Sequence, residues 1–350
     1  MKSHKIIEYQ KPLKLIEEET PKPKGTEVLV KVLYSGVCHT DIHINDGFFT
    51  LAGKKKIDTS SMRSLPFTPG HEVFGEVFGF GKNARGLRLG QRRAVFPWIG
   101  CGKCDTCETG FENLCSQGNR SIGTSVNGGY SDYLIVPHSR YLLNTNGIDD
   151  RLAATYMCSG VTAYSAIKKI GKLKNSDTIL ILGLGGVGFS GLQICKAMFD
   201  NAIAVADIDT QKLKYAKRCG AKSVYNTLEK DSVSKLLKKS KGGVSVVIDF
   251  VGSEESSAFG LASTKRGGKY ILVGLYGGQL TVPLATIPLR SISIIGSLTG
   301  SLSETKEFIK LAKKGTIKPI PIEERPMIKA SKTLSDMRKG DITGRVVLKP

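Results

Sequence analysis

Four cysteines, Cys101, Cys104, Cys107 and Cys115, follow one another at spacings of two, two and seven intervening residues in a short, glycine-containing stretch. Four thiolates on so tight a loop fit tetrahedral zinc with bonds of about 2.3 Å, and a closed shell of four sulfurs leaves no open position for a substrate, so the role is expected to be structural. A local redox pair, an iron–sulfur cluster and a zinc-ribbon nucleic-acid module are the competing readings, although a ribbon usually pairs two CxxC knuckles at longer separation.

A second chemistry is written at Gly183-Leu184-Gly185-Gly186-Val187-Gly188, directly after the apolar run Thr178 to Leu182 and at the start of a helix-like segment. In that context the first glycine permits a tight turn, the second lets backbone approach a pyrophosphate, and the third allows close packing of helix on strand. The helix N-terminus adds N–H groups and a positive dipole. Asp207 stands 19 residues after Gly188, at the end of the next apolar run. A carboxylate there bonds the adenosine ribose hydroxyls and repels a 2′-phosphate, so NAD is expected over NADP. Asp209 competes for the same role.

A third set is dispersed: Cys38-His39-Thr40-Asp41-Ile42-His43, then Gly70-His71-Glu72, then Cys158. No spacing rule links such distant positions, and a lone buried cysteine is often just a small hydrophobe.

The elements that must position these residues fall into two patterns. Residues up to about 155 carry short β-branched runs, such as Val28 to Leu33 and Val73 to Phe80, separated by glycine and asparagine turns, which predicts a mostly β domain. From about 160 apolar strands alternate with helical segments: Thr178 to Leu182, Val187 to Phe199, Ile203 to Ala206, Thr210 to Cys219, Ser223 to Tyr225, Ser232 to Lys239, Val244 to Phe250, a helix from Glu254, and Lys269 to Val273. Such βαβ alternation implies a parallel, doubly wound sheet with helices on both faces. The tail carries a helical stretch, Glu304 to Lys313, and a terminal strand, Gly344 to Leu348, placed to rejoin the first domain.

Taken together, C-H-T-D-x-H, G-H-E, the four-cysteine lobe, C-S-G-V-T at 158–162, the glycine fingerprint and the closing G-R-V-V-L resemble the zinc-dependent medium-chain alcohol dehydrogenase family, in the expected order and over nearly the whole chain. The resemblance implies an α/β fold, a Rossmann NAD-binding domain over 160–296 beside a mostly β, GroES-like catalytic domain formed by 1–159 and 297–350. It implies two zinc ions per chain. Cys38, His71 and Cys158 would hold the catalytic one, with Glu72 behind it and Asp41 orienting His71, and Cys101, Cys104, Cys107 and Cys115 the structural one. Thr40 and His43 match a proton relay. His39 and Arg345 match pyrophosphate contacts, Lys212 a ribose contact, and Thr162 and Val273 neighbours of the nicotinamide, beside Gly183, Gly185, Gly186, Val187, Gly188 and Asp207. The expected activity is reversible hydride transfer between a primary or secondary alcohol and NAD. Polyols, sugars, amino alcohols or formaldehyde adducts are the alternative substrates, and a homodimer or homotetramer is the expected assembly.

Two features sit outside that pattern. Trp98, the only tryptophan, precedes the cysteine lobe, where either a substrate pocket or the core would use it. The segment Ile44 to Pro69, rich in Lys, Ser and Thr, is longer than in compact microbial members of the family and is placed to wall the cleft or contact another subunit.

Composition sets the outer limits. The chain has 350 residues, 40% hydrophobic and 23% charged, enough apolar material for two cores and too much for disorder. No stretch is apolar enough for a signal sequence or membrane span, and a cytoplasmic protein is expected. The formal charge of +20 raises nucleic-acid binding as a rival function, but the basic residues are scattered, with small clusters at Lys54, Lys55, Lys56 and at Lys238, Lys239, Lys241. That rival would account for the charge and four of the eight cysteines, and for neither the glycine fingerprint nor the dispersed ligands.

Overall fold

Thr178–Leu182 (TILIL) and Val244–Asp249 (VSVVID) are apolar at nearly every position, a composition suited to strands covered on both faces. In a computed structural model describing residues 1–53, 55–118 and 120–350, these two strands lie side by side at the centre of a six-stranded parallel sheet. From Thr178–Leu182 the chain runs outward through Ala202–Asp207 and Ser223–Asn226, then returns to Val244–Asp249 and proceeds through Thr264–Leu272 and Ser293–Gly296 on the other side. The strand order therefore reverses between the two central strands, and a ligand crevice opens at such a switch point. Lys54 of the basic trio lies outside the described residues.

The second sheet has seven strands and is mixed. Val28–Gly36 pairs antiparallel with Glu72–Phe80, with Tyr133–Val136 and with the last strand, Arg345–Lys349, which in turn runs parallel to Ile322–Pro326. The expected return of the C-terminal strand to the first half is thus observed, with Val347 opposite Gly36. Helix Leu302–Ala312 packs on helix Val161–Lys168, so the tail touches both halves on its way back.

The helices follow their caps. Asp209 accepts from the backbone N–H groups of Gln211 and Lys212 at the start of Thr210–Arg218, and Ser253 and Ser301 form reciprocal capping boxes at Glu254–Ser263 and Leu302–Ala312. The expected boundaries hold at Thr178–Leu182 and Ser232–Lys239 and shift by up to five residues elsewhere. The largest shift is at Thr264–Leu272, where the strand begins before the two glycines at 267 and 268. The segment 44–69 contains a small hairpin, Phe48–Thr50 with Lys56–Asp58, that its polar composition does not announce.

Candidate active site

Register brings the dispersed ligands together. Gly36 lies opposite Glu72 in the antiparallel pair, so the residues just beyond one strand, Cys38, and just before the other, His71, emerge at the same end. Helix Asp150–Thr155 packs across both strands and runs into a π-helical turn, Tyr156–Gly160, that carries Cys158 to the same point. π-turns inside helices are frequent at functional sites, because the extra residue re-aims a side chain. One donor atom each from Cys38, His71, Glu72 and Cys158 lie within 4.8 Å of one another, all buried.

The imidazole of His71 is held from behind. Its Nδ1 lies 3.1 Å from Asp41 Oδ1, while Nε2 is buried without a hydrogen-bond partner and faces the thiols. Burial opposes charge on this ring, yet the Asp41 carboxylate and its hydrogen bond hold the pKa well above the ordinary histidine value. Asp41 is itself fixed by the backbone N–H of Cys38 at 2.9 Å, that of Gly70 at 3.3 Å and the Tyr130 hydroxyl at 3.0 Å. Tyr130 is fully buried, and no spacing in the sequence pointed to it. Gly70 must be glycine: its φ is +99°, and a Cβ would stand 2.4 Å from the Tyr130 ring.

Two thiols and an imidazole with a buried unpartnered nitrogen fit a zinc ion that keeps a fourth position for substrate, with the Glu72 carboxylate beside them. Glu72 is fully buried and its Oε2 accepts from Arg345. Burial pushes its pKa up to about 7 against the pull of Arg345, and its Oε1 has no partner. Arg345 is 4% exposed, and its side chain lies against Gly186, where a Cβ would meet it at 2.3 Å.

That contact joins the metal-binding cluster to the glycine fingerprint. Gly183 has a φ of +82°, and a Cβ on Gly188 would stand 1.8 Å from the Gly183 carbonyl oxygen, so the helix can approach the strand this closely only with glycine there. Gly185 is open above, and Val187 lies in the first turn of helix Gly186–Met198. Asp207 closes the loop from its strand end, Oδ2 accepting from the Leu184 N–H at 2.5 Å and Oδ1 from that of Asp209 at 2.9 Å. Asp209, the competitor, spends its carboxylate on the helix cap and on Lys212, 3.9 Å away.

The remaining residues distribute as follows. Thr40 Oγ1 lies 3.7 Å from Cys38 Sγ, and His43 is one helical turn further on, half-buried, with its ring 4.6 Å from that of Phe49. Partial burial and the neighbouring His39 hold the His43 pKa below the ordinary value, leaving a neutral ring at pH 7 that can accept a proton. His39 is exposed at the first position of its helix. Thr162 Oγ1 is buried without a partner one turn after Cys158, and Val273 is half-buried just past Thr264–Leu272. Trp98 packs its ring 5.3 Å from that of His71 and donates from Nε1 to the Met157 carbonyl at 2.9 Å, so it serves core and site at once.

The second cluster is separate. Cys101, Cys104, Cys107 and Cys115 bring one sulfur each within 4.8 Å of the others, with Cys101 3.9 Å from Cys107 and Cys104 3.8 Å from Cys115. The Cys101 backbone N–H donates to Cys115 Sγ, which lowers the Cys115 pKa to about 6 and favours the thiolate a metal needs. The lobe hangs from a buried carboxylate that spacing did not reveal: Glu112 accepts from Gly100 N–H, the Tyr141 hydroxyl and Arg140.

Residues 24–146 match the family described as "Alcohol dehydrogenase GroES-like domain", and residues 186–314 that described as "Zinc-binding dehydrogenase". The sequence is 36% identical to an NAD-dependent alcohol dehydrogenase of Sulfurisphaera tokodaii, with both chains covered completely. The fold is similar to the alcohol dehydrogenase of Aeropyrum pernix, with a TM-score of 0.89 and 29% identity over all of both chains. It is also similar to the D-arabinose dehydrogenase of Sulfolobus solfataricus, with a TM-score of 0.84 and 27% identity over all of this chain and 99% of that one.

Proposed function

Because the chain belongs to the zinc-type medium-chain alcohol dehydrogenase family, we propose that it transfers hydride reversibly between a primary or secondary alcohol and NAD, using one catalytic and one structural zinc ion. The observation that carries this reading is the meeting of Cys38, His71 and Cys158 around an unpartnered imidazole nitrogen, a short step along Arg345 from the nucleotide fingerprint.

When bound, zinc acts as a Lewis acid on the substrate oxygen, and NAD takes up the hydride. The chain's own residues do the rest. Cys38, Cys158 and His71 would hold the metal, Asp41 fixes which imidazole nitrogen is left to face it, and Tyr130 and two backbone N–H groups fix Asp41. Thr40 would relay the hydroxyl proton, accepting it as its own hydroxyl proton moves on by way of the cofactor ribose to neutral His43, one turn further along the same helix. Arg345 and His39 neutralise the pyrophosphate, Lys212 and Asp207 hold the adenosine ribose, and Thr162 with Val273 flank the nicotinamide. Glu72 balances the buried charge of Arg345 beside the cysteine and histidine ligands. In this division, 1–159 with 297–350 is the catalytic unit and 160–296 the cofactor unit.

NADH formation across primary, secondary and aromatic alcohols, run with and without a zinc chelator, tests the proposal. Turnover abolished by the chelator is the expected result, and chelator-insensitive turnover would remove the metal from the chemistry. Asp207→Ser is expected to lower the NAD-over-NADP ratio of kcat/KM by about tenfold or more, since one charged hydrogen bond contributes roughly 1.5–3 kcal/mol. An unchanged ratio would assign the preference to another contact.

A homodimer or homotetramer fits the edge strand Ser293–Gly296, which carries the partly exposed Ile294 and is preceded in the chain by the largely exposed Leu284 and Leu289. Eight thiols, none in a disulfide among the described residues, suit the reducing cytoplasm. Among those residues no helix is long and apolar enough to cross a membrane.

A further inference from the structure

The fully buried Asp41 carboxylate that holds the His71 ring meets four donors. Its Oδ2 accepts from the Cys38 N–H at 2.9 Å and the Tyr130 hydroxyl at 3.0 Å, while its Oδ1 accepts from the Gly70 N–H at 3.3 Å and lies 3.1 Å from His71 Nδ1. Two contacts on each oxygen fill the lone pairs that an ionised carboxylate offers. Three of these donors belong to the ligand-bearing segments themselves, at Cys38, Gly70 and His71. Tyr130 comes from elsewhere in the chain, so it alone gives Asp41 a point of reference independent of the ligands that Asp41 serves.

That reference point is rigidly mounted. The backbone of 128–130 runs along that of 68–70, with the Gly128 N–H donating to the Thr68 carbonyl at 2.8 Å, Gly129 to Gly70 at 2.8 Å and Tyr130 to Pro69 at 3.0 Å, and the Asn127 side chain accepts from the Thr68 N–H at 2.9 Å. So close an approach needs glycine, because a Cβ on Gly128 would collide with the Gly70 carbonyl oxygen and one on Gly129 with a Val73 methyl. The other side is gripped by the N-terminal strand, Lys2–Lys5. His4 N–H donates to the Tyr130 carbonyl at 2.8 Å, Asp132 N–H to the Lys2 carbonyl at 2.9 Å, and Ser3 pairs with Ser131. Just past that strand Ile6 exchanges both backbone bonds with Phe67, at 2.8 and 3.0 Å, so the first residues of the chain clamp the segment leading to His71 and the one carrying Tyr130 together.

Resting on the dehydrogenase reading above, we propose that Tyr130 is a positioning residue for the catalytic metal alone: acting through Asp41, its hydroxyl holds the His71 ring at the angle the ion requires and so sets how tightly that site, and not the cysteine lobe, retains its metal. Tyr130 is fully buried, so removing the hydroxyl leaves Asp41 Oδ2 short of a donor where solvent does not reach, and the carboxylate turns to recover the bond at the expense of its contact with Nδ1. Partners directly behind a metal ligand are worth about 10- to 100-fold in metal affinity; Tyr130 stands one hydrogen bond further out, and about tenfold is expected.

Tyr130→Phe keeps the ring and removes only the hydroxyl. Competition between the full-length protein and a chromogenic chelator for zinc is expected to show the catalytic site weakened about tenfold and the lobe unchanged, the second ion serving as an internal standard. With Co2+ at the catalytic site, the thiolate charge-transfer and ligand-field bands, which report ligand geometry, should shift in the variant. Asp41→Asn should weaken the same site more strongly, and adding Tyr130→Phe to it should change little further, since the hydroxyl has no other route to the metal. Equal weakening of both sites, an additive double variant, or a lower melting temperature with zinc affinities and cobalt bands unmoved would each overturn the proposal and leave Tyr130 a core residue. An alcohol panel on the same preparations separates this from the dehydrogenase reading: a zinc site that depends on Tyr130 with no turnover of any alcohol would keep the proposal and reject that reading. A wild-type chain that binds zinc in its lobe only would reject both.

Discussion

Replacing Cys158 with alanine should cut kcat/KM by about a thousandfold or more, the rate equivalent of the several kcal/mol of charge stabilisation a metal supplies. The chain should keep its fold and one zinc ion. The residue is small, 6% exposed and set in a π-turn whose backbone bonds do not use the sulfur, so the cost in stability is that of one lost small apolar group. The result is read in three ways: steady-state kinetics, zinc per chain by elemental analysis, and the melting temperature. Activity above a tenth of the starting value, or two zinc ions retained, would remove Cys158 from the ligand set. Loss of both metals together with the melting transition would make it a structural residue.

Cys104→Ser should have an effect of a different kind. The lobe from Cys101 to Cys115 contains one four-residue helix, Asp105–Glu108, and a single turn at Glu112–Leu114, far below the length at which a helix is stable alone. Beyond the anchors at Glu112 and Asn113, its order would come from four sulfurs on one ion, and structural zinc in so small an element contributes on the order of 10 kcal/mol. The serine variant is expected to retain only the catalytic zinc, to open amide exchange across 100–118, and to melt lower. Affinity for NAD should survive, since the fingerprint lies in the other sheet. Turnover should fall, because the Asn113 side chain in this lobe donates to the Leu298 carbonyl, and Phe111 and Leu114 line a cavity shared with Val273 and Leu298. Unchanged exchange with two zinc ions bound would show that the lobe holds itself.

Much of this arrangement was legible in the residues, and the reasons for success and failure are physical. The βαβ half is built from local signals: buried strands of five or six residues, glycine turns and capped helices, each decided within a short window. The four-cysteine lobe is local too. The catalytic set was legible only by resemblance, because what unites Cys38 with His71 is the pairing of Gly36 with Glu72, a tertiary register that no periodicity encodes. Tyr130 and Glu112 escaped for a related reason: each is a single polar side chain that becomes significant only when a distant carboxylate or backbone group meets it. Arg345 matched a pyrophosphate contact only by resemblance, and its buried pairing with Glu72 depends on a strand returning from the far end of the sequence.

That return carries a cost in time. Arg345–Lys349 fills a place in the first sheet between Val28–Gly36 and Ile322–Pro326, and the Val37 N–H donates to the Val346 carbonyl. While the chain is being synthesised, at roughly 5–20 residues per second, the first 320 or so residues leave the ribosome without the strand that pairs with Val28–Gly36 and without the cation that pairs with Glu72. The parallel half can fold as its own contacts emerge, but the ligand-bearing half has to wait for its final strand. During that interval the nascent protein exposes a pairing edge that invites aggregation, and depends on its emergence schedule as well as its sequence.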